Sequence, residues 1–384
     1  MWSKKVLILM SASAKRHVLQ LCHSYYGPFL DCARQYASLF RGRGYRVTTV
    51  FLTGKPDLRV VDECQSDEVQ FLGFSSAAVR GLKLGAIAAL RKQLRGREYA
   101  FCIAHRFKPL YVALLGTRMP VIGVHHGFGD YERAGRRLFA NIFRKRLALL
   151  GVSDAVRDDL RRCLPNWAPE RIETLYNRID LAERQAQLLP RAEARQALGL
   201  PGDAWVIGNV GRLHPDKDQA TLLQGFALAL PRLPADARLV IMGKGRLEAA
   251  LKQQAEQAGL AGRVLFTGQL AQAARYFSAF DTFALSSDHE PFGMVLLEAM
   301  SAGVPLVATD CGGAPEVVRG VGQLFPLGDA QALAEALVRV AGLDAEQRLA
   351  LSRAMAERVT SCFSDEAVAD AFWRLPVVKQ WGLA

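Results

Sequence analysis

Long apolar runs are what this 384-residue chain most plainly lacks: no window approaches 18 uninterrupted apolar residues, the length that a membrane-spanning helix requires. The early run, Val6 to Met10, stops after five residues, too short for an anchor and too weak for a signal peptide. Export is therefore not expected, and the cytoplasm is the default compartment. A second run, His17 to Cys22, reads as a first core strand, which makes the residues before it an extension and Met10 an alternative start. The seven cysteines (Cys22, Cys32, Cys64, Cys102, Cys163, Cys311 and Cys362) are odd in number and nowhere spaced as C-x-x-C. That pattern fits neither a disulfide framework nor a zinc site, so free thiols in a reducing compartment are expected. A fixed-period repeat, a low-complexity tract and the complete G-x-G-x-x-G dinucleotide fingerprint are also missing.

Acidic residues are scarce in one half only. Residues 1 to 180 carry 30 Lys and Arg against 15 Asp and Glu, and residues 181 to 384 carry 19 against 22, so the net +12 comes entirely from the first half. Such asymmetry suggests that this half faces something anionic: a nucleic acid, an acidic substrate or a membrane surface. No nucleic-acid-binding motif or stacking array accompanies the charge, so a nucleic-acid partner is not expected.

What is present is a chain long enough for two domains, with 50% apolar residues to fill two cores. Short β-rich apolar runs alternate with longer helical patterns in both halves, which is the mark of parallel α/β sheets. Strands are predicted at 17 to 23, 46 to 52, 99 to 103, 120 to 124 and 147 to 152. In the second half they are predicted at 205 to 210, 238 to 242, 263 to 267, 281 to 285, 304 to 308 and 322 to 325. The polar, Arg- and Gln-rich stretch after Asp180, bracketed by Pro190 and Pro201, marks a boundary. Domains of residues 1–180 and 181–363 follow, and a terminal helix at about 364–384 is expected to pack back on the first. Ligands of open α/β sheets bind beyond the carboxyl ends of the strands, so two such domains facing each other enclose a cleft.

The most informative stretch is DHEPFGMVLLEAMSAGVPLVATDCGGAPEVV, Asp288 to Val318. Glu290 falls at the end of a strand-exit loop and Glu298 inside a helix over Met294 to Ser301, about two turns on at ~3.6 residues per turn. Pro291 and Gly293 hold the turn, and the free N–H groups of Gly293, Met294 and Val295 can receive an anion. The two carboxylates suit the hydroxyls of a sugar or ribose. The bland alternative is an exposed helix residue and a complement to the helix dipole. GNVGRLHPDKD follows the strand at 205 to 210, and its Arg212 and Lys217 can converge on a diphosphate. In IMGKGRLEAAL, Gly243 and Gly245 lie between a strand and a helix, as a tight turn or a ligand approach.

In the first half, VIGVHHGFG puts His125 and His126 directly after a strand, to bind a hydroxyl or to serve as satisfied structural groups. HSYYGPF places Gly27 where an acceptor can approach the backbone closely; an ordinary strand-to-helix turn reads the same way. If RAGRRLFANIFRKRLALL is helical, Arg133, Arg136, Arg137 and Arg144 fall together, opposite Leu138, Phe139, Ile142 and Leu149. With RKQLRGR at 91 to 97, that face suits an anionic lipid surface, or is simply a solvated face over a buried stripe.

The order and spacing of VGRLHPDKD, IMGKGRLEAAL, VLFTGQL, the E-x7-E stretch and LFPLGDAQALAEAL resemble the retaining glycosyltransferases of family 4, which have the GT-B fold of two facing Rossmann-like doubly wound parallel-sheet domains with an interdomain cleft. The resemblance is specific from about Val206 to Leu337 and looser before that, through LGVSDAVRDDL and LYNRID. It implies that Arg212 and Lys217 neutralise a donor diphosphate and that Glu298 holds the ribose while Glu290 lies by the donor sugar. Gly293, Met294, Val295, Gly211 and Gly243 then belong to the donor site, His125 or His126 stands beside the sugar, and Gly27 belongs to the acceptor loop. Two departures stand out. The N-terminal loop, usually richer in glycine, reads SYYGPF, and the N-G-h-D pattern appears as Asn177-Arg178-Ile179-Asp180, so that turn is expected to be built differently.

The resemblance implies transfer of a sugar from a nucleoside-diphosphate sugar to an acceptor hydroxyl with retained configuration. No cofactor or metal is expected, because two cations and a helix end already supply positive charge. The basic half, the candidate interfacial helix and the family together suggest a phosphorylated, membrane-held glycolipid acceptor, first of all a lipopolysaccharide core intermediate, met at the inner face of the cytoplasmic membrane. The alternatives are a GT-B epimerase or phosphorylase and a non-catalytic membrane-surface binding protein.

Overall fold

In a computed structural model of the protein, residues 16–383 are described, so the Val6 to Met10 run and the alternative start at Met10 lie outside the described residues. The first sheet has seven strands: β1 (Arg16–Cys22), β2 (Tyr45–Thr53), β3 (Glu68–Phe74), β4 (Phe101–His105), β5 (Val121–His125), β6 (Leu147–Gly151) and β7 (Ile172–Thr174). Their spatial order is β3-β2-β1-β4-β5-β6-β7. The second sheet has six: β8 (Val206–Val210), β9 (Arg238–Met242), β10 (Val264–Gly268), β11 (Thr282–Leu285), β12 (Leu306–Thr309) and β13 (Gly322–Phe325), in the order β10-β9-β8-β11-β12-β13. Both orders reverse after the first strand of the sheet, the doubly wound Rossmann-like arrangement of the GT-B class, and the reversal point is where such sheets hold ligands.

Eleven of these strands are legible as apolar runs, with edges within two residues. The two that are not are β3 (EVQFLGF), which is half-buried at a sheet edge and opens on a charged residue, and β7 (IET), which is three residues long and mostly polar. Strands covered on both faces read as continuous apolar runs, and β8, β9, β11 and β12 do so. Ile207, Leu239, Ile241, Ala284 and Val307 form one core with Leu222, Phe226, Leu333 and Leu337, the last four carried by the helices Gln219–Ala229 and Ala330–Ala341.

The chain divides into two compact units, one running to Gly123 and including Phe143–Leu147, the other comprising Val124–Ile142 and Ala148–Ala384. The loop after β5, the helix after β6 and the whole second sheet therefore belong to one unit. Arg178 is buried, is not among the residues of positive φ, and pairs with Asp365. The Asn177–Asp180 turn is thus built without a left-handed residue, as expected, and Asp180 caps the helix Leu181–Gln187 by accepting from the Glu183 N–H at 2.8 Å. Near the C-terminus lie the helices Asp365–Arg374 and Pro376–Gln380, and the Arg171 guanidinium rests 5.4 Å from the centre of the Trp381 ring. None of the described helices is long and apolar enough to cross a membrane.

The exits of β8 and β9 stay joined beyond the strands. Gly211 N–H donates to the Met242 carbonyl at 2.9 Å and Leu213 N–H to the Lys244 carbonyl at 2.9 Å. Gly243 has φ 148°, and a Cβ there would stand 1.9 Å from the Gly211 carbonyl oxygen. Gly243→Ala must push the two loops apart, and a loss of roughly 2–3 kcal/mol is expected, the upper range for overpacking. Gly262→Ala, at φ 72° with no heavy atom within 4 Å, should lose only about 1 kcal/mol. Urea unfolding of the two variants checks the difference; equal losses would mean that the loops are not in contact.

Candidate active site

Three loops leave the carboxyl ends of β8, β11 and β12 and are laced together. After β8, a 3-10 turn at Pro215–Lys217 brings Lys217 toward the exit of β11, and its ammonium donates to the Glu290 carboxylate at 2.9 Å. The two side chains are 18% and 10% exposed, so this ion pair is largely removed from water. Ser286 Oγ donates to the Lys217 carbonyl at 2.9 Å, and Asp288 N–H to the Asp216 carbonyl at 3.1 Å. On the other side, Thr309 Oγ1 donates to the Ser287 carbonyl at 2.7 Å and Gly313 N–H to the Glu290 carbonyl at 2.8 Å. Glu290 is thus held by its side chain from β8 and by its backbone from β12.

Arg212 differs from Lys217. Its side chain is 70% exposed and reaches Asp216 at 3.2 Å, while the His214 ring also bonds Asp216. Burial alone would raise the Asp216 carboxyl, but the His214 hydrogen bond and the charges of Lys217, Arg212 and His214 together hold it below the ordinary value. Arg212 is thus a solvent-facing cation on a short tether, and Lys217 a fixed one.

The helix opening on Glu290's loop spans Met294–Ser301, as its pattern predicts, and begins after Gly293 at φ 100°, a conformation that favours glycine. Its first N–H groups have no intrahelical acceptor and form the positive end of the helix dipole. Glu298 is half-buried on this helix. Gly211 and Gly243 stand on the neighbouring exit loops, and the approach of the two demands glycine at position 243, whereas a Cβ on Gly211 would meet only ordinary contacts with the Lys217 side chain.

The two histidines separate cleanly. His125 ends β5 and is fully buried, its Nδ1 2.7 Å from Asp130 Oδ2 and its Nε2 3.4 Å from the Tyr131 hydroxyl. Burial, and after it the Asp130 charge, pushes the Tyr131 hydroxyl well above its ordinary pKa, so it stays protonated. His126 is half-buried and lies on the loop rather than in the strand. That loop is pinned by Gly129 N–H donating to Asp159 at 2.8 Å, and its Phe128 ring meets His289 edge-on with centroids 6.2 Å apart. The loop after β5 therefore reaches the loop that carries Glu290. Gly27 lies in the other compact unit, with φ 57° and ψ −136°, and a methyl group in place of its hydrogen would meet no heavy atom within 4 Å, which leaves its backbone open to approach.

The basic helix departs in part from the face predicted for it: Arg133 and Arg144 are exposed and Phe139 is half-buried, but Arg136, Arg137, Leu138 and Ile142 are not placed as expected. It spans Ala134–Phe143, and Leu138 and Ile142 point outward at 63% and 66% exposure. Arg136 turns inward, donating to the Asp130 carboxylate at 2.9 Å and its carbonyl at 2.8 Å, and Arg137 donates to the Tyr131 and Glu132 carbonyls. Leu149 belongs to β6. Guanidiniums that find carbonyls across a tight loop displace the leucine and isoleucine to solvent, a choice that periodicity cannot reveal. Asp130, Tyr131, Asp159 and Glu316, which hold these loops by hydrogen bonds, are not singled out by sequence reasoning; Glu316 stands inside the very stretch singled out, after Gly312 and Gly313. Among the described residues, no group of three or more His, Cys, Asp or Glu side chains could hold a metal ion.

Two family models match the chain: Glycosyl transferases group 1 over residues 190–358 and Glycosyltransferase Family 4 over residues 32–183. A lipopolysaccharide core biosynthesis glycosyltransferase, LpsE of Rhizobium meliloti, is 33% identical over 187 residues, 48% of this chain and 53% of the relative, so the match spans about half the relative's length. A glycosyltransferase structure from Rickettsia africae superposes with a TM-score of 0.81 at 16% identity, covering 96% of this chain and 98% of the other. Anabaena HepE in complex with UDP and glucose superposes with a TM-score of 0.74 at 22% identity, covering 92% and 97%. At these identities the two structures speak for the fold.

Removing Lys217 strands a nearly buried carboxylate. Lys217→Ala should lower stability by roughly 2 kcal/mol, less than the ~3–5 of a fully buried pair, and adding Glu290→Gln to it should restore part of the loss, as read by urea midpoints; a Lys217→Ala protein as stable as the parent would contradict the pairing. Asp216, with its folded value depressed, stabilises the fold above its unfolded pKa of about 3.9, and that contribution disappears as pH falls through the lower folded value. Asp216→Asn should therefore flatten the acid limb of the stability curve below about pH 4; an unchanged limb would contradict the assignment.

Proposed function

Because the chain belongs to the glycosyltransferases of group 1 and family 4, we propose that it moves a sugar from a nucleoside-diphosphate sugar to an acceptor hydroxyl with retention of configuration. The observation that carries this reading is the Lys217–Glu290 pair, fixed at 2.9 Å beside the free helix end at Gly293. A cation, a carboxylate and the N–H groups of a helix start occur together at the reversal point of the second sheet. The UDP and glucose bound by the Anabaena protein support the donor class.

In this reading the donor lies on residues 181–363 and the acceptor on residues 1–180. The diphosphate takes the N–H groups of Gly293, Met294 and Val295, with Lys217 and Arg212 opposing its charge, and Glu298 holds the ribose. Glu290 faces the sugar, and so does His126, because His125 has both ring nitrogens engaged. The acceptor oxygen attacks the anomeric carbon as the bond to the diphosphate breaks on the same face, and the departing phosphate oxygen takes the hydroxyl proton. Stabilising that leaving group is the largest service the protein performs, and the two cations do so without a metal.

The acceptor is a phosphorylated glycolipid of the lipopolysaccharide core type, a reading supported by the name of the Rhizobium relative and by the basic first half. It is met at the inner face of the cytoplasmic membrane, where the outward face of the helix Ala134–Phe143 docks. Leu138 and Ile142 enter the headgroup layer, and the exposed Arg133 before the helix, with the exposed Arg144 and Lys145 just after it, meets anionic lipid.

A melting-temperature screen against UDP, GDP, ADP and their sugars tests the donor site. One nucleotide should raise the melting temperature, by the equivalent of about 2.7 kcal/mol at a hundredfold excess over Kd, and Lys217→Ala and Glu298→Ala should each weaken the shift. Absence of any shift, with acceptor glycolipid also present, would sink the reading. Membrane docking is tested by co-sedimentation with anionic vesicles at low salt: Leu138→Asp with Ile142→Asp should abolish binding and leave the nucleotide shift unchanged, whereas unaltered binding would rule this face out.

A further inference from the structure

We infer that Glu316 is a positioning residue that sets the spacing between the loop carrying Glu290 and the loop carrying His126, an inference that rests on the transfer reading for its catalytic consequence. Glu316 lies on the short helix Ala314–Val318 directly after the turn at Gly312 and Gly313. The turn is joined to Glu290: Gly313 N–H donates to the Glu290 carbonyl at 2.8 Å, and a Cβ on Gly312 would stand 2.2 Å from that same oxygen. Behind Glu316 the turn is anchored by Arg358, whose Nε donates to the Val317 carbonyl at 2.8 Å.

The Glu316 carboxylate faces away from this turn and closes the N-terminus of another helix, Asp154–Cys163. Its Oε2 accepts from Asp154 N–H at 2.7 Å and its Oε1 from Ala155 N–H at 2.9 Å. Ser153 Oγ takes the Val156 N–H at 3.1 Å, so three of the four orphan N–H groups of that terminus are satisfied, two of them by a residue 162 and 161 positions away. The same helix carries Asp159, and Asp159 accepts the Gly129 N–H at 2.8 Å. Gly129 stands three residues after His126, on the segment where Asp130 fixes His125.

A continuous path therefore runs from Glu290 through Gly313 and Glu316 to the helix, and from Asp159 through Gly129 to His126. The helix is a rigid strut, held by the Glu316 carboxylate at its N-terminus and by the Asp159 carboxylate midway along it. Of these groups only Glu290 touches one that holds the nucleotide in the proposed reaction, and it meets Lys217 with its carboxylate, whereas the path runs through its backbone carbonyl; the strut therefore acts on alignment of the sugar and the histidine rather than on donor affinity. Glutamine cannot replace Glu316, because its amide keeps one acceptor and turns an N–H2 against the second backbone N–H.

Glu316→Gln should lower kcat by about 10- to 100-fold, the range expected from a displacement near 1 Å, and leave UDP affinity within about twofold. Hydrogen exchange of the amides at 126 to 131 should quicken in the same variant. Asp159→Ala, which cuts the path on its other side, should give the same pattern, and the double variant should be no worse than the poorer single one, because a path already cut loses nothing more. Near-parental kcat, loss of UDP affinity with exchange unchanged, or additive losses would each overturn the inference. Should Glu316→Gln fail to fold, Asp159→Ala alone must show faster exchange at 126 to 131, or the strut does not exist. The exchange readout requires no turnover, so a protein that bound no nucleotide would refute the transfer reading while the coupling was judged on exchange alone.

Discussion

The ion pair between Lys217 and Glu290 is the constraint on which the rest of the site depends. β8 and β11 are neighbours at the point where the strand order reverses, and their exit loops would diverge there if nothing joined them. A part-buried pair at 2.9 Å can persist only if its surroundings satisfy the remaining polar groups. Around it the backbone is tied down: Ser286 bonds the Lys217 carbonyl, Gly313 the Glu290 carbonyl, and Thr309 the Ser287 carbonyl on the loop that carries Glu290.

That lacing decides how charge is distributed. One cation is fixed and sheltered against Glu290, three residues before the helix start at Gly293, and the other is solvent-facing beside Asp216. Fixed dipoles and charges aimed at one place stabilise developing charge without reorganising when it appears. The exposed arginine supplies reach and the part-buried lysine supplies position. On the opposite loop, the fully enclosed His125 serves as an anchor, so that its neighbour His126 retains access to solvent.

The sheets are readable because strands covered on both faces leave continuous apolar runs, and the helix Met294–Ser301 because a positive-φ glycine stands before it. Lys217 and Glu290 can each be singled out, but their bond spans 73 positions, and no local pattern records such a meeting. The histidine pair is ambiguous for a similar reason: which ring is sealed depends on Asp130 and Tyr131 folding back onto β5. On the basic helix, periodicity cannot say that Arg136 and Arg137 find acceptors on the preceding loop while Arg133 and Arg144 are exposed and Leu138 and Ile142 are left in water. Glu316 escapes notice because its partners are backbone N–H groups, which every residue but proline carries and which therefore leave no mark on a sequence.

The most direct measurement is the proton NMR spectrum of the product formed from a donor sugar of known anomeric configuration, followed while nucleotide is released. Retention of that configuration in the new glycosidic bond, with one nucleoside diphosphate released per sugar transferred, is the predicted result. Inversion at the anomeric carbon, or nucleotide release with only free sugar formed in the presence of acceptor, would contradict the account.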